Sequence, residues 1–428
     1  MPSWLGPALD YLASWLEFQR RLHDQPGCAV AVAYRGRVVL DEAYGYADLR
    51  KHIPLTPRHR FRVASHSKSF TAAAIVRLRD ARKLRLDDPV GRYVPGLHRA
   101  VARVTLEELL SHSAGLVRDG RDSGQFSDRR PFLTREEVLA DLDGPPILRR
   151  GTRFKYSNHG YALLGMAIES VTGEPYRDWV AREIIAPAGL RETTPDMPLP
   201  RGTPFARGHT GRLPTGRLLV IPGDFDTRAI APAGGFVSTA ADLVRFFWQL
   251  RGRRELIRAR WRDPHSNIKR YYGLGIISGS LEGWRWYGHS GGLQGYITRT
   301  VVMPRHELAI SVLTNSIAGL AHPWIDGAMH IFRTFKTQGG RRWRGRWWTM
   351  WGAIDLVPVR AKMLVAMPAL FNPFLDAAEI KGRRIALAGG YAHHGEGVRL
   401  GKHELWLGGT RYLREAAVAR EINRRYGQ

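Results

Sequence analysis

Hydrophobic and polar residues alternate along the chain with strand-like and then helix-like spacing. Residues 27–49, "GCAVAVAYRGRVVLDEAYGYADL", alternate around an Arg-Gly turn, which predicts a two-stranded hairpin. Apolar residues then recur at helical spacing in "TAAAIVRLRDARKL" and from about Asn158 to the capping Gly173. Further strand patterns cover residues 271–280, 284–289, 296–303 and 308–314. Strands at both ends of residues 25–335 therefore enclose a helix-rich middle, which predicts one sheet of distant segments with helices packed on it.

The pattern changes near residue 340. Short strand-like runs separated by turns, such as "RRIALAGGYA" and "EGVRLGKHELWLGG", predict a small, mainly antiparallel β-domain over residues 345–428. We expect a linker at 337–344 and a larger catalytic domain at 1–336, with a helical subdomain over about 90–225. The N-terminal segment has the spacing of an amphipathic helix, with Trp4, Leu12 and Trp15 on its apolar side.

Composition supports a globular protein of two or three structural units. The 428 residues are 44% hydrophobic and 24% charged, and the formal net charge is +26. Such a charge can indicate binding to nucleic acid, but the basic residues are dispersed and no zinc-finger, RNP-like or basic-zipper pattern occurs. The densest cluster, "GGRRWRGRWW" at 339–348, is either a solvated linker or a contact for a polyanion. We expect no nucleic-acid partner.

The single cysteine, the N-terminus and the candidate membrane-spanning stretch bear on reactivity and cellular location. The single cysteine, Cys28, lies in an apolar strand pattern, which favours a small buried side chain over a reactive thiol. The N-terminus has no secretory-signal features, and the best candidate for a membrane span, 347–374, contains charges and prolines. We therefore expect a cytoplasmic protein without a transmembrane segment, or a periplasmic one if the true start lies upstream.

The first chemical signal is "ASHSKSF" at residues 64–70. If a helix begins at Ser65, Lys68 lies on the same face and its amine can reach the serine hydroxyl. A hydroxyl needs a base to become a nucleophile, and lysine serves only if burial or neighbouring positive charge lowers its pKa. S-x-x-K alone is a weak signal, and a second copy, Ser266 to Lys269, lies in a polar loop where no helix aligns it.

Two further motifs follow in the chain. Tyr156-Ser157-Asn158 is the only Y-x-N; its phenol can ionise and share the base role, while Asn158 can hold the lysine or merely cap the next helix. His289-Ser290-Gly291-Gly292 lies between two strand patterns, where glycines allow a substrate close to backbone N–H groups. H-x-G also occurs at His209 and His393, outside such a setting.

S-x-x-K, Y-x-N and H-x-G occur here in one order. With "LRLDDPVGRYVP", "TLEELLSHSAGL", "PAGGFVSTAADLVRF" and "LAISVLTN", they make residues 25–335 resemble the penicillin-recognising serine hydrolases, in the class C β-lactamase-related branch of esterases, D-aminopeptidases and DD-peptidases. The resemblance implies an α/β (α+β) β-lactamase/transpeptidase-like fold, an antiparallel sheet flanked by helices with a helical subdomain. The C-terminal β-region resembles the accessory domain of some members.

The resemblance also implies residue roles. Ser65 would be the acylated nucleophile, Lys68 and Tyr156 the base and proton donor, and Asn158 would orient Lys68 and the substrate. The N–H groups of Ser65 and Gly292 would form the oxyanion hole, and His289 and Gly291 belong to the triad that usually reads K-T-G. Histidine is mostly neutral at pH 7, so carboxylate recognition would be weaker than in true β-lactamases.

The predicted function is that of a serine hydrolase that cleaves an ester or amide through an acyl-enzyme on Ser65. A weak β-lactamase or DD-peptidase and a non-catalytic ligand-binding protein are the alternatives. We expect a small-molecule or peptide substrate, no cofactor and no metal, since the histidines around His393 match no metal-site spacing. His112 is expected to be structural, and loops at 115–150 and 195–230 are expected to line the pocket. The sequence does not give the oligomeric state.

Overall fold

The computed structural model describes residues 1–213, 215–263, 269–388 and 393–427. By their contacts these residues form two compact units. One is Gln25–Ala321, and the other combines Met1–Asp24 with His322–Gln428. The predicted division at 337–344 therefore differs from the division by contacts, in which the N-terminal helix belongs with the C-terminal β-domain.

The elements are numbered in chain order. The α-helices are α1 (Leu5–Leu22), α2 (Ser67–Asp80), α3 (Arg99–Ala102), α4 (Leu106–Leu110), α5 (Arg135–Ala140), α6 (Asn158–Thr172), α7 (Tyr176–Val180), α8 (Ala231–Gly234), α9 (Ala240–Gln249), α10 (Arg254–Ile257), α11 (Ala321–Gln338) and α12 (Glu415–Tyr426). The strands of the first unit are β1 (Gly27–Tyr34), β2 (Arg37–Asp48), β3 (Ile53–Pro54), β4 (Phe61–Arg62), β5 (Gly208–His209), β6 (Val220–Ile221), β7 (Val237–Ser238), β8 (Trp261–Arg262), β9 (Arg270–Tyr272), β10 (Ile277–Leu281), β11 (Trp284–Leu293), β12 (Tyr296–Met303) and β13 (Leu308–Thr314). Those of the second are β14 (Arg346–Thr349), β15 (Gly352–Val359), β16 (Lys362–Ala366), β17 (Ala378–Lys381), β18 (Arg384–Leu387), β19 (Val398–Leu400), β20 (Glu404–Leu407) and β21 (Thr410–Leu413).

A nine-stranded antiparallel sheet forms the frame of the first unit. Its order is β3-β2-β1-β13-β12-β11-β10-β9-β8, so the first and last strands of the unit's sequence meet at the centre. There Val30 pairs with Val312, and both are fully buried. Cys28 is buried in the same strand, as predicted. This confirms the prediction of one sheet built from distant segments.

Helices pack against this sheet and against one another, and two of them, α2 and α6, carry Lys68 and Asn158. Helix α9 packs on β1 and β13, while α2, α6 and α8 pack on one another. Phe70 of α2 stacks between Phe236 and Phe246, with ring centroids 4.5 and 3.7 Å away. Because α2 is almost wholly buried, the position and direction of its first turn are fixed by packing. The predicted fold class, helices around an antiparallel sheet, is confirmed.

The second unit is an eight-stranded antiparallel sheet with order β18-β17-β16-β15-β14-β21-β20-β19. Its two edges meet where Arg384 pairs with Gly397, which curls the sheet into a barrel-like domain. Helix α1 packs on α11 so closely that a Cβ on Gly327 would lie 2.3 Å from the Trp15 ring. The expected linker is also tied to this unit, because Arg341 N donates to Pro358 O and Arg344 N to Leu356 O.

Candidate active site

Ser65 lies in a tight turn at the entrance to α2. Residues Ala64–His66 form a 3₁₀ turn and the α-helix begins at Ser67, two residues later than the sequence suggested. Ala64 has a positive φ of 49°, an uncommon conformation for a side chain with a Cβ. Because the two neighbouring serines, at 67 and 69, are buried and donate to backbone oxygens, only Ser65 of the three presents a hydroxyl to the pocket.

Lys68 is fully buried beside this hydroxyl. Its Nζ lies 3.2 Å from Ser65 Oγ, 2.8 Å from Asn158 Oδ1 and 2.7 Å from Ala233 O. Burial lowers the pKa of the Lys68 ammonium well below its ordinary value, although the Asp119 carboxylate opposes this effect. Two of the three neighbours are carbonyl-type acceptors, so a neutral amine can donate to both and aim its lone pair at the serine.

Tyr156 approaches Ser65 from the opposite element. Its hydroxyl donates to Ser65 Oγ at 2.8 Å, and its ring lies 4.1 Å from the His112 ring and 4.7 Å from Lys68 Nζ. Burial raises the pKa of the Tyr156 phenol, outweighing the hydrogen bond to Ser65 and the Arg118 charge. Burial therefore favours the protonated phenol, a proton donor, whereas the sequence suggested that the phenol could ionise and share the base role.

Asn158 connects Lys68 to a carboxylate. Its Oδ1 accepts from Lys68 and its Nδ2 donates to Asp119 Oδ1, an orientation fixed because a carboxylate only accepts. Asp119 also forms an ion pair with Arg118 at 2.9 Å. The cap of α6 is the Ser157 hydroxyl, which accepts from Gly160 N. Asn158 is therefore not the helix cap, and its side chain serves the site.

His289 lies on β11 with both ring nitrogens engaged. Its Nε2 lies 3.0 Å from the Tyr272 hydroxyl and its Nδ1 lies 2.7 Å from Ser290 O. Burial, reinforced by the neighbouring His66, lowers the pKa of the His289 imidazole well below its ordinary value. At neutral pH the ring therefore carries no charge, and this position offers no fixed cation to a substrate carboxylate.

The two glycines of H-x-G-G have different surroundings. A Cβ on Gly291 would lie 2.1 Å from Val63 O, so this strand passes directly against the residue before the nucleophile turn. A Cβ on Gly292 would meet only Ile297 Cδ1, at 3.5 Å, and Gly292 borders the pocket. Close approach of the backbone explains the need for glycine at Gly291.

A pocket of about 720 Å³ opens over these residues. Ser65, Tyr156, Asn158, His289 and Gly292 line it, so five of the seven predicted site residues share one cavity, with Lys68 and Gly291 behind its wall. Much of the remaining surface is aromatic, namely Phe126, Phe132, Phe154, Tyr271 and Tyr272. A cavity of this size and character suits a small ligand with an apolar body.

Comparison with known proteins agrees with this geometry. The family model described as Beta-lactamase matches residues 17–321, well over half of the chain. The chain belongs to the beta-lactamase family. Members of this family are serine hydrolases, and the fold and the family predicted from the motifs are both confirmed.

Two curated relatives show partial similarity to this chain. The chain is 28% identical over 220 residues to a putative penicillin-binding protein, PbpX, from Bacillus subtilis, covering 50% of this chain and 52% of that protein. It is 24% identical over 301 residues to protein flp from Staphylococcus aureus, covering 68% and 59%. The chain thus spans just over half of the length of these curated relatives.

Two solved structures share the fold of this chain. The octameric penicillin-binding protein homologue from Pyrococcus abyssi superposes with a TM-score of 0.68 at 22% identity, covering 95% of this chain and 99% of that one. The D-amino acid amidase from Ochrobactrum anthropi does so with a TM-score of 0.66 at 24% identity, covering 76% and 100%. The first likeness extends over the C-terminal barrel-like domain as well.

Two contributors to this beta-lactamase-family site were not predicted to belong to it. Asp119 lies in a loop without a recognisable pattern, yet its carboxylate fixes the Asn158 amide. The His112 ring lies 4.1 Å from the Tyr156 ring and accepts from Ser157 N at 3.1 Å, so this residue, expected to be structural, positions the predicted proton donor. The motif "TLEELLSHSAGL", which contains His112, was the available signal for it.

A buried ion pair anchors the backbone that leads into helix α8. Arg62 and Asp196 are both fully buried, with Nη1 and Oδ1 2.9 Å apart. The guanidinium also donates to the carbonyls of Gly223, Phe225 and Gly235. It thereby anchors the segment that leads into α8, whose Ala233 carbonyl holds Lys68.

Other sequence candidates lie apart from the site. Ser266, Asn267 and Ile268 of the second S-x-x-K fall outside the described residues. His209 bonds Asn315 O within the fold, and His393 pairs with Glu396. Among the described residues there is no group of three potential metal ligands, and no helix has the length and apolarity to cross a membrane.

Proposed function

We propose that this chain hydrolyses small esters or amides through an acyl-enzyme on Ser65. One observation carries the proposal: Ser65 Oγ lies within hydrogen-bonding distance of the Lys68 amine and the Tyr156 hydroxyl together, at 3.2 and 2.8 Å. A serine held between a buried amine and a phenol has both a group to take its proton and a group to supply one.

The proposed base is Lys68. With its amine neutral, the two N–H groups donate to Asn158 Oδ1 and Ala233 O, and the lone pair accepts the Ser65 proton. Ser65 Oγ then attacks the substrate carbonyl carbon. The N–H groups of Ser65 and Gly292 are the proposed donors to the oxyanion, with Gly292 at the pocket edge.

The proposed proton donor is Tyr156. Because its phenol is protonated and touches Ser65 Oγ, it can give its proton to the leaving oxygen or nitrogen as the acyl bond to that group breaks. The Lys68 ammonium, holding the former serine proton, then reprotonates the tyrosine. Water attacks the acyl-enzyme in the second half of the reaction, and the proton transfers run in the same order.

The proposed substrates have no recognition carboxylate. His289 is neutral, and the two arginines at the pocket, Arg118 and Arg270, are already paired with Asp119 and Asp263. A β-lactam carboxylate would therefore meet no free cation among the described pocket residues, while aromatic walls favour an apolar acyl group. Esters and D-amino-acid amides fit this pocket better than β-lactams.

Fluorophosphonate labelling of the full chain tests the nucleophile. Intact-protein mass spectrometry should show one adduct on wild-type protein and none on Ser65→Ala, with Ser67→Ala, which lacks a hydroxyl bonded to Ala64 O, as the matched control. Turnover should then be compared for a nitrophenyl ester, a D-alanyl anilide and a chromogenic cephalosporin. Folded wild-type protein that takes up no label, or a strong preference for the cephalosporin, would contradict the proposal.

A further inference from the structure

The open end of the barrel-like sheet of the second unit forms a concave site separate from the catalytic pocket. Its cavity is about 630 Å³, within the range of ligand pockets. Its floor consists of inward-facing side chains of four strands: Leu356, Met363, Ile380 and Leu405. Leu356, Ile380 and Leu405 belong to the buried apolar core of the sheet and Met363 packs against it, so the cavity ends on the edge of that core. A small barrel can hold one small ligand in this position.

The rim of this cavity is cationic. Six basic side chains surround the apolar floor: Arg341, Arg344, Arg360, Lys362, Arg383 and Arg399. None of the described residues that line the cavity is acidic. Like charges gathered around one cavity repel one another. An anion bound between them would relieve this repulsion and would also accept charge-assisted hydrogen bonds.

The rim arginines differ from several arginines of the same unit that have carboxylate partners. Those ion pairs are Arg20–Glu17, Arg346–Asp355, Arg411–Glu404 and Arg425–Glu421. Within the described part of the chain, Arg341, Arg344 and Arg383 have no such partner. Lys362 alone on the rim is neutralised, by Glu379. The donors of these three arginines are therefore available to a ligand.

We infer that this cavity binds a small amphipathic anion, with the apolar body against Leu356 and Ile380 and a phosphate or carboxylate head between the rim arginines. The two halves of the site select the ligand together. The apolar floor gains nothing from a small inorganic ion, and the cationic rim repels an amphiphile with a positive head. The basic cluster at 339–348, of which the sequence alone left the role open, supplies Arg341 and Arg344 of this rim.

Isothermal titration of the full chain with dodecyl phosphate, below its micellar concentration, tests the inference. We expect one site per chain, at least about tenfold tighter for dodecyl phosphate than for inorganic phosphate or dodecyltrimethylammonium, and a raised Tm with the bound ligand. The double variant Arg341→Gln/Arg383→Gln should weaken binding about tenfold or more, since each guanidinium contributes a charge-assisted bond.

The matched control is Arg420→Gln/Arg424→Gln, which removes the same charge from exposed positions of α12 and should bind as the wild type does. Equal affinity for the cationic amphiphile, equal affinity for inorganic phosphate, or no effect of the rim variant would overturn the inference. So would tighter binding of a DNA oligonucleotide that competes with dodecyl phosphate, since a polyanion surface would then explain the arginines.

Sedimentation with phosphatidylglycerol vesicles separates two sources of the same ligand chemistry. Cosedimentation that the rim variant loses and the control keeps would support the site and identify a bilayer lipid as its ligand. Binding of monomeric dodecyl phosphate without cosedimentation would support the site and identify a free amphiphile. Fluorophosphonate labelling at Ser65 is measured in the same experiment. A failure to label would contradict the proposed hydrolase function but would leave the inferred anion site unaffected.

Discussion

Replacing Gly291 by alanine tests whether strand β11 must pass directly against the Ala64–His66 turn that contains Ser65. The added Cβ would lie 2.1 Å from Val63 O and 2.7 Å from Thr298 Oγ1. Non-bonded carbon and oxygen atoms do not approach so closely, so either the strand or the turn has to move by about an ångström. Val63 is two residues before Ser65, and a shift there displaces the proposed nucleophile.

The carbonyl of Val63 cannot easily yield. The His66 backbone N–H donates to it at 3.2 Å, and His66 Nδ1 lies 2.9 Å away. The Val63 N–H in turn donates to Phe236 O at 3.0 Å. Turning the carbonyl away would break these bonds inside the core. We therefore expect Gly291→Ala to cost about 3 kcal/mol or more, near the upper range for inserting a methyl group into a packed site.

Gly292→Ala is the matched control for stability. The same methyl group one residue later meets only Ile297 Cδ1, at an ordinary 3.5 Å, so the free energy of unfolding should change by less than about 0.5 kcal/mol. Urea unfolding and thermal melting measure both variants, and Gly291→Ala should melt about 6 °C or more below the wild type. If the two variants have equal stability, the close approach of β11 to Val63 is wrong.

Four other predictions concern chemistry and packing. Lys68→Met should slow fluorophosphonate labelling by about 10³-fold or more without unfolding the protein, because the base is lost; unchanged labelling would remove Lys68 from that role. The wild-type labelling rate should rise with pH as the Lys68 ammonium loses its proton and then level off, and since burial lowers the pKa of Lys68 the plateau should begin well below its ordinary value; a rate that falls across neutral pH contradicts this. His289→Lys should raise kcat/KM for a chromogenic cephalosporin relative to a nitrophenyl ester, because a fixed charge would then meet the carboxylate; an unchanged ratio argues against the neutral-histidine explanation. Arg62→Met should cost about 3–5 kcal/mol in urea unfolding, since it leaves Asp196 buried without its cation, whereas Arg411→Met breaks a pair with Glu404 in which both side chains are exposed and should cost less than about 1 kcal/mol; similar losses would contradict the difference in burial.

The parts of the site that the sequence predicts are local. Ser65 and Lys68 are three residues apart at the start of an apolar helical pattern, so their contact follows from helix geometry. Tyr156 and His289 could be assigned only from the order of the motifs, because the Tyr156–Ser65 hydrogen bond and the place of His289 in the same pocket depend on how the strands and helices of the sheet unit pack.

What the sequence could not predict depends on burial and on neighbours from distant segments. Ionisation of Tyr156, which the sequence left possible, would need positive charge close to the phenol. Burial instead lowers the pKa of the Lys68 ammonium and raises that of the phenol. Asp119, which holds Asn158, lies in a loop without periodicity, and no local signal indicates that its carboxylate turns toward residue 158.

The same limit explains the division of the chain. An amphipathic helix at the N-terminus was predictable, but its partner was not, because an apolar stripe does not specify what covers it. Here the partner is α11, where Gly327 admits the Trp15 ring and Trp324 Nε1 donates to Gln19 Oε1. A glycine in the middle of a helix, otherwise unfavourable by about 1 kcal/mol relative to alanine, thus marks the place where two helices 300 residues apart pack.

The lysine, the tyrosine and the histidine together decide what chemistry the pocket can perform. A charged lysine at position 68 would donate all three protons and leave Ser65 without a base, and an ionised Tyr156 would leave no proton for the leaving group. A charged His289 would attract carboxylates. Burial acts on all three in the same way, since it favours the neutral form of each. The closely packed wall around Ser65, from the Ala233 carbonyl to the Tyr272 hydroxyl, therefore sets both the proposed direction of proton transfer and the proposed preference for substrates without a carboxylate.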